Sequence, residues 1–339
     1  MSSDLQRAAA KLLCVGFEGV EPPAEFLTLL RRGVSGIILF ARNLRSPTPQ
    51  HMARLCAKLK DAVDRPLLTS IDHEGGHVVR MRDGFTSIPP MREIGGSNDV
   101  DRARQIGETM GRELRAANID LDFAPVMDVD TNPANPVIGD RSFGADPDLV
   151  ARMGVAVIEG LQSQHVAACA KHFPGHGDTL QDSHHDLPSL PHDLARLRKI
   201  ELPPFQAAIR ANVASIMTAH VVFRAIDAEH PATMSRRVLD GLLRREFGYD
   251  GVIISDDLEM KAIADHYGTE QAIIAGVNAG VDLFLVCHTL EQQNLAIDSL
   301  VRAVQSGDVK RERVEEAGRR IDAMIERFHN PPLAASRSA

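Results

Sequence analysis

Residues 166–188 read VAACAKHFPGHGDTLQDSHHDLP, an apolar run followed by a segment rich in histidine and aspartate. The run Val166–Ala170 is typical of a buried strand, because it is short, apolar and uninterrupted. No helical or strand period continues from Lys171 to Pro188, and Gly175 and Gly177 permit backbone angles that other residues avoid. We therefore predict a strand that ends in a loop of titratable side chains, the place where α/β enzymes usually carry their chemistry.

Seven further apolar runs alternate with helical patterns along the chain. The eight predicted strands are Leu13–Phe17, Gly36–Phe40, Pro66–Asp72, Ile119–Val129 with its loop, Val166–Ala170, Ala214–Val222, Gly251–Asp257 and Asp282–Cys287. Runs that are apolar throughout indicate a sheet buried on both faces. Eight such strand–helix units within 339 residues predict a single-domain (β/α)₈ barrel of the TIM type. We expect the barrel over residues 1–330 and a loose tail at 331–339.

Composition narrows the classes of function. A formal net charge of −8 argues against a general nucleic-acid binder, which normally presents a basic face. The four cysteines form no CxxC pair, and we see neither a signal peptide nor an apolar run long enough to span a membrane. We therefore expect a cytoplasmic protein with free thiols and no membrane or nucleic-acid partner. No glycine-rich phosphate-binding motif follows a predicted strand, so nucleotide-binding folds lack their signature.

Polar residues gather directly after six of the predicted strands. They are Arg42-Asn43, Asp72–Glu74, Asp128–Asp130, Lys171-His172, His220 and Asp256-Asp257. Because the carboxyl ends of barrel strands meet at one face, we expect these side chains to surround a polar ligand there.

The pair Asp256-Asp257 ends the seventh predicted strand. An aspartate ahead of Leu258-Glu259-Met260 is typical of a helix N-cap, and Asp257 fits that role. Asp256 comes at the strand end itself, where its carboxylate can point to the barrel axis. We therefore predict that Asp256 is catalytic.

The histidine-rich segment leaves several interpretations open. His172, His176 and Asp178 could bind a divalent metal, although Phe-Pro-Gly between the histidines argues against a shared helix face. A purely structural interpretation is that Asp178 and Asp186 satisfy the backbone of tight turns. The spacing of these residues agrees with both the metal-binding and the structural interpretation.

Acid/base and binding chemistry has its own candidates. Asp182 lies two residues before His184, so its carboxylate could hold the imidazole and tune its pKa. Asp72 and Glu74 lie beside Gly75-Gly76, Arg80 follows them, and Arg141 follows the loop after the fourth predicted strand. Carboxylates and guanidiniums suit ligands rich in hydroxyl groups. A surface ion pair is the ordinary alternative for any single arginine.

Four motifs occur in the order found in one enzyme family. They are IDHEGG with a following arginine, DRSFG, KHFPGHGDT with DSH, and ISDDLEM. This set, within Ile37 to Met260, resembles glycoside hydrolase family 3, and within it the bacterial cytoplasmic β-N-acetylglucosaminidases of the NagZ type. The resemblance implies a lone barrel, without the C-terminal sandwich domain of many relatives. It also implies that no metal and no cofactor is needed.

The resemblance assigns roles to matching positions. Asp256 would be the nucleophile that forms a covalent glycosyl-enzyme, and His184 would be the general acid/base with Asp182 as its dyad partner. The positions that would bind the hydroxyl and N-acetyl groups of the sugar are Asp72, Arg80, Arg141, Lys171 and His172.

The implied reaction is retaining, exo-acting removal of β-linked N-acetylglucosamine from anhydro-muropeptides in peptidoglycan recycling. We expect a monomer whose partner is this small glycan. A histidine in place of the usual acid carboxyl would repel an anionic acceptor less, so phosphorolysis at the same site is an alternative. A metal-dependent hydrolase is the other alternative. His73, His77 and His185 depart from the residues expected in close relatives and leave the aglycone open.

Overall fold

The computed structural model describes residues 2–44, 48–180 and 187–329. Within them, eight parallel strands close into a barrel, each paired with its neighbours in chain order and the last with the first. The register is regular between the second and third strands, from Gly36 opposite Leu68 to Leu39 opposite Ile71. The predicted single (β/α)₈ barrel is confirmed.

The strands form the inner wall of the barrel. They are β1 (Leu13–Val15), β2 (Gly36–Leu39), β3 (Leu68–Ile71), β4 (Leu121–Asp122), β5 (Ala167–Phe173), β6 (Ser215–Thr218), β7 (Val252–Asp257) and β8 (Leu283–Val286). Two small ribbons lie outside it and pair His73–Gly75 with Val78–Val79 and Ser189–Leu190 with Val222–Phe223. All residues of the barrel strands are buried except Asp256, which is partly exposed.

Helices surround the barrel. They are α1 (Ser2–Lys11), α2 (Ala24–Arg31), α3 (Pro49–Asp61), α4 (Met91–Ser97), α5 (Val100–Ala116), α6 (Pro147–Ser163), α7 (Leu194–Lys199), α8 (Pro203–Arg210), α9 (Lys261–Ala264), α10 (Gly268–Ala279), α11 (Leu290–Ser306) and α12 (Arg311–Phe328). A π-helix at Arg237–Glu246 and 3₁₀ turns at Ala41–Asn43, Gly139–Arg141 and Ala232–Met234 complete the set. In the described parts of the chain, no helix has both the length and the apolar character needed to cross a membrane.

Several boundaries differ from the prediction. β5 continues to Phe173, because the Phe173 carbonyl accepts the Ala219 N–H at 2.8 Å and extends the ladder to β6. Lys171 and His172 therefore lie within a buried strand, and the prediction that the loop begins at Lys171 is wrong. β4 is shorter than predicted, since Pro125 soon after it has no N–H to donate. The patterns also do not predict α4.

The amino end of the barrel is closed by a buried charge cluster around Asp282, which immediately precedes β8. Its carboxylate accepts the Ile253 N–H at 2.9 Å and contacts Arg313 at 2.6 Å and Arg320 at 3.5 Å. Arg244 makes a further ion pair with the same carboxylate. Asp282 is fully buried, so this one side chain joins β7 and β8 to α12 and the π-helix.

The variant Asp282→Ala should be strongly destabilised, because three guanidiniums lose their shared carboxylate. Removing one partner of a buried ion pair costs about 3–5 kcal/mol, and we expect urea unfolding followed by circular dichroism to show a loss of that size. The control Asp322→Ala breaks only an exposed ion pair with Lys11 and should cost about 0–1 kcal/mol. Equal losses in the two variants would contradict this account of the cluster.

Candidate active site

The carboxyl ends of the strands open into a cavity of about 450 Å³. Every predicted site residue that the structure describes lines it, namely Asp72, Arg80, Arg141, Lys171, His172 and Asp256. Asp182, His184 and Asp186 belong to residues 181–186, which lie outside the described residues. Side chains from two strands, β5 and β7, and from the segments that follow β3 and β4 thus meet in one cavity.

A buried ion network forms the polar wall of the cavity. The Lys171 ammonium lies 2.6 Å from Glu74 Oε1 and 3.1 Å from Asp72 Oδ1. Arg141 makes a bidentate pair with Glu74, with both N–O distances at 2.8 Å. Arg80 contacts Asp72 Oδ2 at 3.1 Å. The network joins β3, β5 and the loop after β4, and it leaves Asp72 and Arg80 as the members most open to a ligand.

These charges reinforce one another. Burial raises the pKa of Glu74, but Arg141 and Lys171 outweigh it, so the pKa of this carboxyl falls below its ordinary value. Burial lowers the pKa of Arg141 and of Lys171, but the Glu74 carboxylate outweighs it and both pKa values rise. All three groups are therefore charged at neutral pH and present fixed donors and acceptors to a polar ligand.

Asp128 orients His172. Its Oδ2 lies 2.7 Å from His172 Nδ1, and its oxygens also accept the N–H groups of His172 at 3.1 Å and of His176 at 2.7 Å. Because Nδ1–H donates to the carboxylate, Nε2 of a neutral His172 is left to accept a hydrogen bond. Burial raises the pKa of Asp128, but His172 and His176 bring it below its ordinary value.

Asp256 stands apart from the ion network at the end of β7. Burial raises the pKa of its carboxyl, whereas the nearby side chains of His220 and His172 lower it. The Asp257 N–H and the Lys171 ammonium add to the lowering, so the pKa of Asp256 lies below its ordinary value. An ionised carboxylate at the floor of the cavity can serve as a nucleophile.

Asp257 does not cap the next helix, and that prediction is wrong. Helix α9 begins only at Lys261, with Met260 in the N-cap position. The Asp257 carboxylate instead accepts the N–H groups of Glu259 and Cys287, each at 3.2 Å. It therefore ties the end of β7 to the end of β8.

Some residues that shape the site are not singled out by the sequence patterns. Glu74 is considered there only as a ligand-binding acid beside Asp72, whereas the structure buries it as a counter-ion. Asp128 appears only as one of several strand-end acids. His288 directly follows the eighth predicted strand and lines the cavity, so the strand-end rule could have found it.

The residues considered as metal ligands each have another partner. His172 is bound to an aspartate, and His176 Nδ1 lies 2.8 Å from the Thr179 hydroxyl. Asp178 forms an ion pair with His192, a side-chain contact rather than the turn backbone expected for it. Within residues 2–44, 48–180 and 187–329, no three His, Cys, Asp or Glu side chains are grouped so as to hold a metal ion. The metal-dependent alternative therefore gains no support from this geometry.

The glycines of the histidine-rich segment have a packing role. A Cβ atom at Gly177 would lie 1.9 Å from the Val129 carbonyl oxygen, so only glycine allows this approach. Gly175 has φ of +141°, a conformation that side chains rarely adopt. Gly177 therefore lets the turn after β5 lie against the loop after β4, whereas Gly175 lies beside Glu201.

His73 is a buried histidine beside the ion network. It is 1% exposed, and its Nδ1 finds no hydrogen-bond partner among the described residues. Its backbone N–H donates to Asp122 Oδ1 at 2.9 Å. Burial lowers the pKa of His73 to about 4, so the imidazole is neutral in the folded protein.

The stability of the protein should therefore fall in acid. The unfolded chain, with an ordinary histidine pKa, binds an additional proton at His73 between about pH 6.5 and 4, so stability is lost as pH falls through this window. His73→Gln removes this term, which amounts to roughly 3 kcal/mol at pH 4. Urea unfolding at several pH values should show a shallower loss for this variant, while the control His51→Gln should parallel the wild type. Parallel curves for His73→Gln and the wild type would refute the prediction.

The family model described as "Glycosyl hydrolase family 3 N terminal domain" matches residues 9–324. A protein named β-hexosaminidase from Thiobacillus denitrificans is 43% identical over 261 residues, which cover 75% of this chain and 72% of that protein. A protein of the same name from Stenotrophomonas maltophilia is 39% identical over 301 residues, 87% of each chain.

Solved structures agree. A glycoside hydrolase family 3 β-N-acetylglucosaminidase from Paenibacillus superposes with a TM-score of 0.93 at 44% identity. The match covers 96% of this chain but only 62% of the Paenibacillus protein. A β-N-acetylhexosaminidase from Beutenbergia cavernae has a TM-score of 0.88 at 29% identity, with 95% of this chain and 98% of that chain covered. This chain belongs to glycosyl hydrolase family 3, as its motifs predict.

Proposed function

We propose that this chain is a retaining exo-β-N-acetylglucosaminidase with Asp256 as its nucleophile. The observation that carries the proposal is the position of Asp256, which alone among the barrel-strand residues is partly exposed and which lines the cavity. The names of its relatives, β-hexosaminidase and β-N-acetylglucosaminidase, support the substrate class. Core residues of the barrel line the inner end of the pocket, so a sugar at the end of a chain fits it better than one in the middle. This favours exo action.

The sugar would be held by the polar wall. Asp72 and Arg80 would bind neighbouring hydroxyl groups, since a carboxylate and a guanidinium accept and donate in complementary directions. Lys171 and Arg141 add donors whose positions Glu74 fixes. Because these groups are charged and paired before a ligand arrives, little reorganisation is needed on binding.

The reaction would proceed in two steps. In the first, a carboxylate oxygen of Asp256 attacks the anomeric carbon as the bond to the leaving oxygen breaks, and the acid/base residue gives that oxygen a proton. In the second, water loses a proton to the same residue and displaces Asp256, which restores the free carboxylate. Two inversions give net retention at the anomeric carbon.

We assign the proton transfers to His184, with Asp182 as its partner. The support is the motif alone, KHFPGHGDT followed by DSH, since both residues lie outside the described part of the chain. An imidazole has an ordinary pKa near 6.5, so it can both give and accept a proton near neutrality. We further propose anhydro-muropeptides as natural substrates and the cytoplasm as the setting. The free, buried cysteines among the described residues are consistent with that setting.

Asp256→Ala should abolish catalysis and leave the fold intact. We expect kcat on an aryl β-N-acetylglucosaminide to fall by at least about a thousandfold, because the variant lacks the carboxylate that forms the glycosyl-enzyme. The thermal midpoint should change little, since this side chain opens to the cavity rather than packing in the core. The matched control Asp140→Ala, at the exposed rim, should keep its activity. Near-normal rates for Asp256→Ala would refute the nucleophile assignment.

His184→Ala should discriminate between leaving groups. Substrates with an activated aryl leaving group need little protonation and should lose much less rate than substrates with a sugar leaving group, which need it fully. His51→Ala, on helix α3, serves as the control and should affect both alike and weakly. If His184→Ala lost the same fraction of its rate on both substrates, this result would count against the acid role.

The acceptor is tested by measuring the products of the wild-type protein in high phosphate. N-acetylglucosamine 1-phosphate as the main product would indicate phosphorolysis instead of hydrolysis.

A further inference from the structure

Asp257 is the residue after the proposed nucleophile, and each of its polar groups has a partner at the end of β7. Its N–H donates to Asp256 Oδ1 at 2.8 Å, and its carbonyl accepts His220 Nε2–H at 3.0 Å. Its carboxylate accepts the Cys287 N–H at 3.2 Å and lies 3.1 Å from His288 Nε2. The backbone that holds the nucleophile is therefore fixed through Asp257.

His288 lies two residues after the end of β8 and lines the same cavity. Its backbone N–H donates to Glu259 Oε2 at 2.6 Å. Its ring stacks on Phe40, with centroids 5.6 Å apart and planes at 29°, and the Arg42 guanidinium lies 4.1 Å from the centre of the same Phe40 ring. These contacts hold the imidazole between the ends of β7 and β2, with its Nε2 directed to Asp257.

Asp256 and Asp257 are consecutive carboxylic acids, and like charges oppose each other's ionisation. A nucleophilic Asp256 must be ionised, so a charge on its neighbour would work against it. A cation beside the Asp257 carboxylate, such as His288 at 3.1 Å, opposes that repulsion. The hydrogen bond to Asp257 raises the pKa of His288 above its ordinary value, despite partial burial, which favours the imidazolium near neutral pH.

We propose that His288 is a positioning residue for the hydrolysis, whose positive charge neutralises Asp257 and so keeps Asp256 ionised. In this arrangement Asp256 Oδ1 stays bound to the Asp257 N–H, and Oδ2 is the oxygen that attacks. The inference rests on the proposed function, since it takes Asp256 as the nucleophile.

The surrounding charges are consistent with this role. The charged or titratable groups that face His288 are Asp257, Glu259 and Arg42. Those that face Asp256 are His172, His176, His220 and Lys171, and the Asp257 backbone N–H is a further donor to Asp256. Glu259 is engaged by the N–H groups of His288 and Thr289. Among the described residues, His288 supplies the one side-chain ion pair to the Asp257 carboxylate.

Two substitutions separate charge from hydrogen bonding. His288→Gln keeps a donor without charge, whereas His288→Lys keeps a positive charge. The pKa of Asp256 is measured by NMR titration of ¹³C-labelled aspartate carboxyls, with Asp256→Asn to assign the signal. His288→Gln should raise this pKa by roughly 1, and His288→Lys should leave it close to the wild-type value. The acid limb of kcat/KM on an aryl β-N-acetylglucosaminide should move by the same amount, with KM little changed, and the control His51→Gln should move neither.

The outcomes are distinct. An unchanged Asp256 pKa and acid limb in His288→Gln would overturn the proposal, as would equal effects of the glutamine and lysine variants. A large rise in KM with an unmoved acid limb would make His288 a substrate contact instead. If the Asp256 pKa rises in His288→Gln but the wild-type protein turns over no β-N-acetylglucosaminide, the charge coupling stands and the proposed function fails.

Discussion

The contact between Lys171 and Glu74, 2.6 Å apart and almost wholly buried, is the interaction on which the site depends. Neither charge could be buried without the other, because an unpaired ion in the protein interior costs several kcal/mol. The pair brings the end of β3 against β5, and Arg141 then anchors the loop after β4 to the same carboxylate. The barrel supplies the strands, but this network fixes where their polar ends lie.

The cavity consequently has two parts with different physics. On one side, paired charges stay ionised and offer hydrogen bonds to a polar ligand without moving. On the other side, Asp256 lies among histidines and beside a second aspartate, where the balance of nearby charges sets its ionisation. In our account the first part binds the sugar and the second reacts with it. Because the two sides of the cavity are separate, the binding groups can remain paired with one another. The Asp256 carboxylate can meanwhile keep one oxygen available for attack.

Much of this arrangement could be predicted from sequence, and the remainder depends on contacts between distant positions. The eight strands follow from apolar runs, and Asp256 and Lys171 follow from the polar residues that end or come after two of these runs. The extension of β5 to Phe173 depends on a hydrogen bond from Ala219 of the next strand, which no local pattern reveals. The burial of Glu74 likewise depends on Lys171 and Arg141, far along the chain. Asp257 looked like a helix cap because its neighbours suit one, whereas β8 offers its carboxylate a partner instead.

In the proposed reaction Asp256 attacks the anomeric carbon of an N-acetylglucosamine unit. Trapping the protein with a 2-acetamido-2-deoxy-5-fluoro-glycosyl donor and mapping the label by peptide mass spectrometry tests this step. We expect one sugar per chain, bound to Asp256, with turnover lost as the label accumulates. A label on any other residue, or loss of turnover without any covalent adduct, would contradict it.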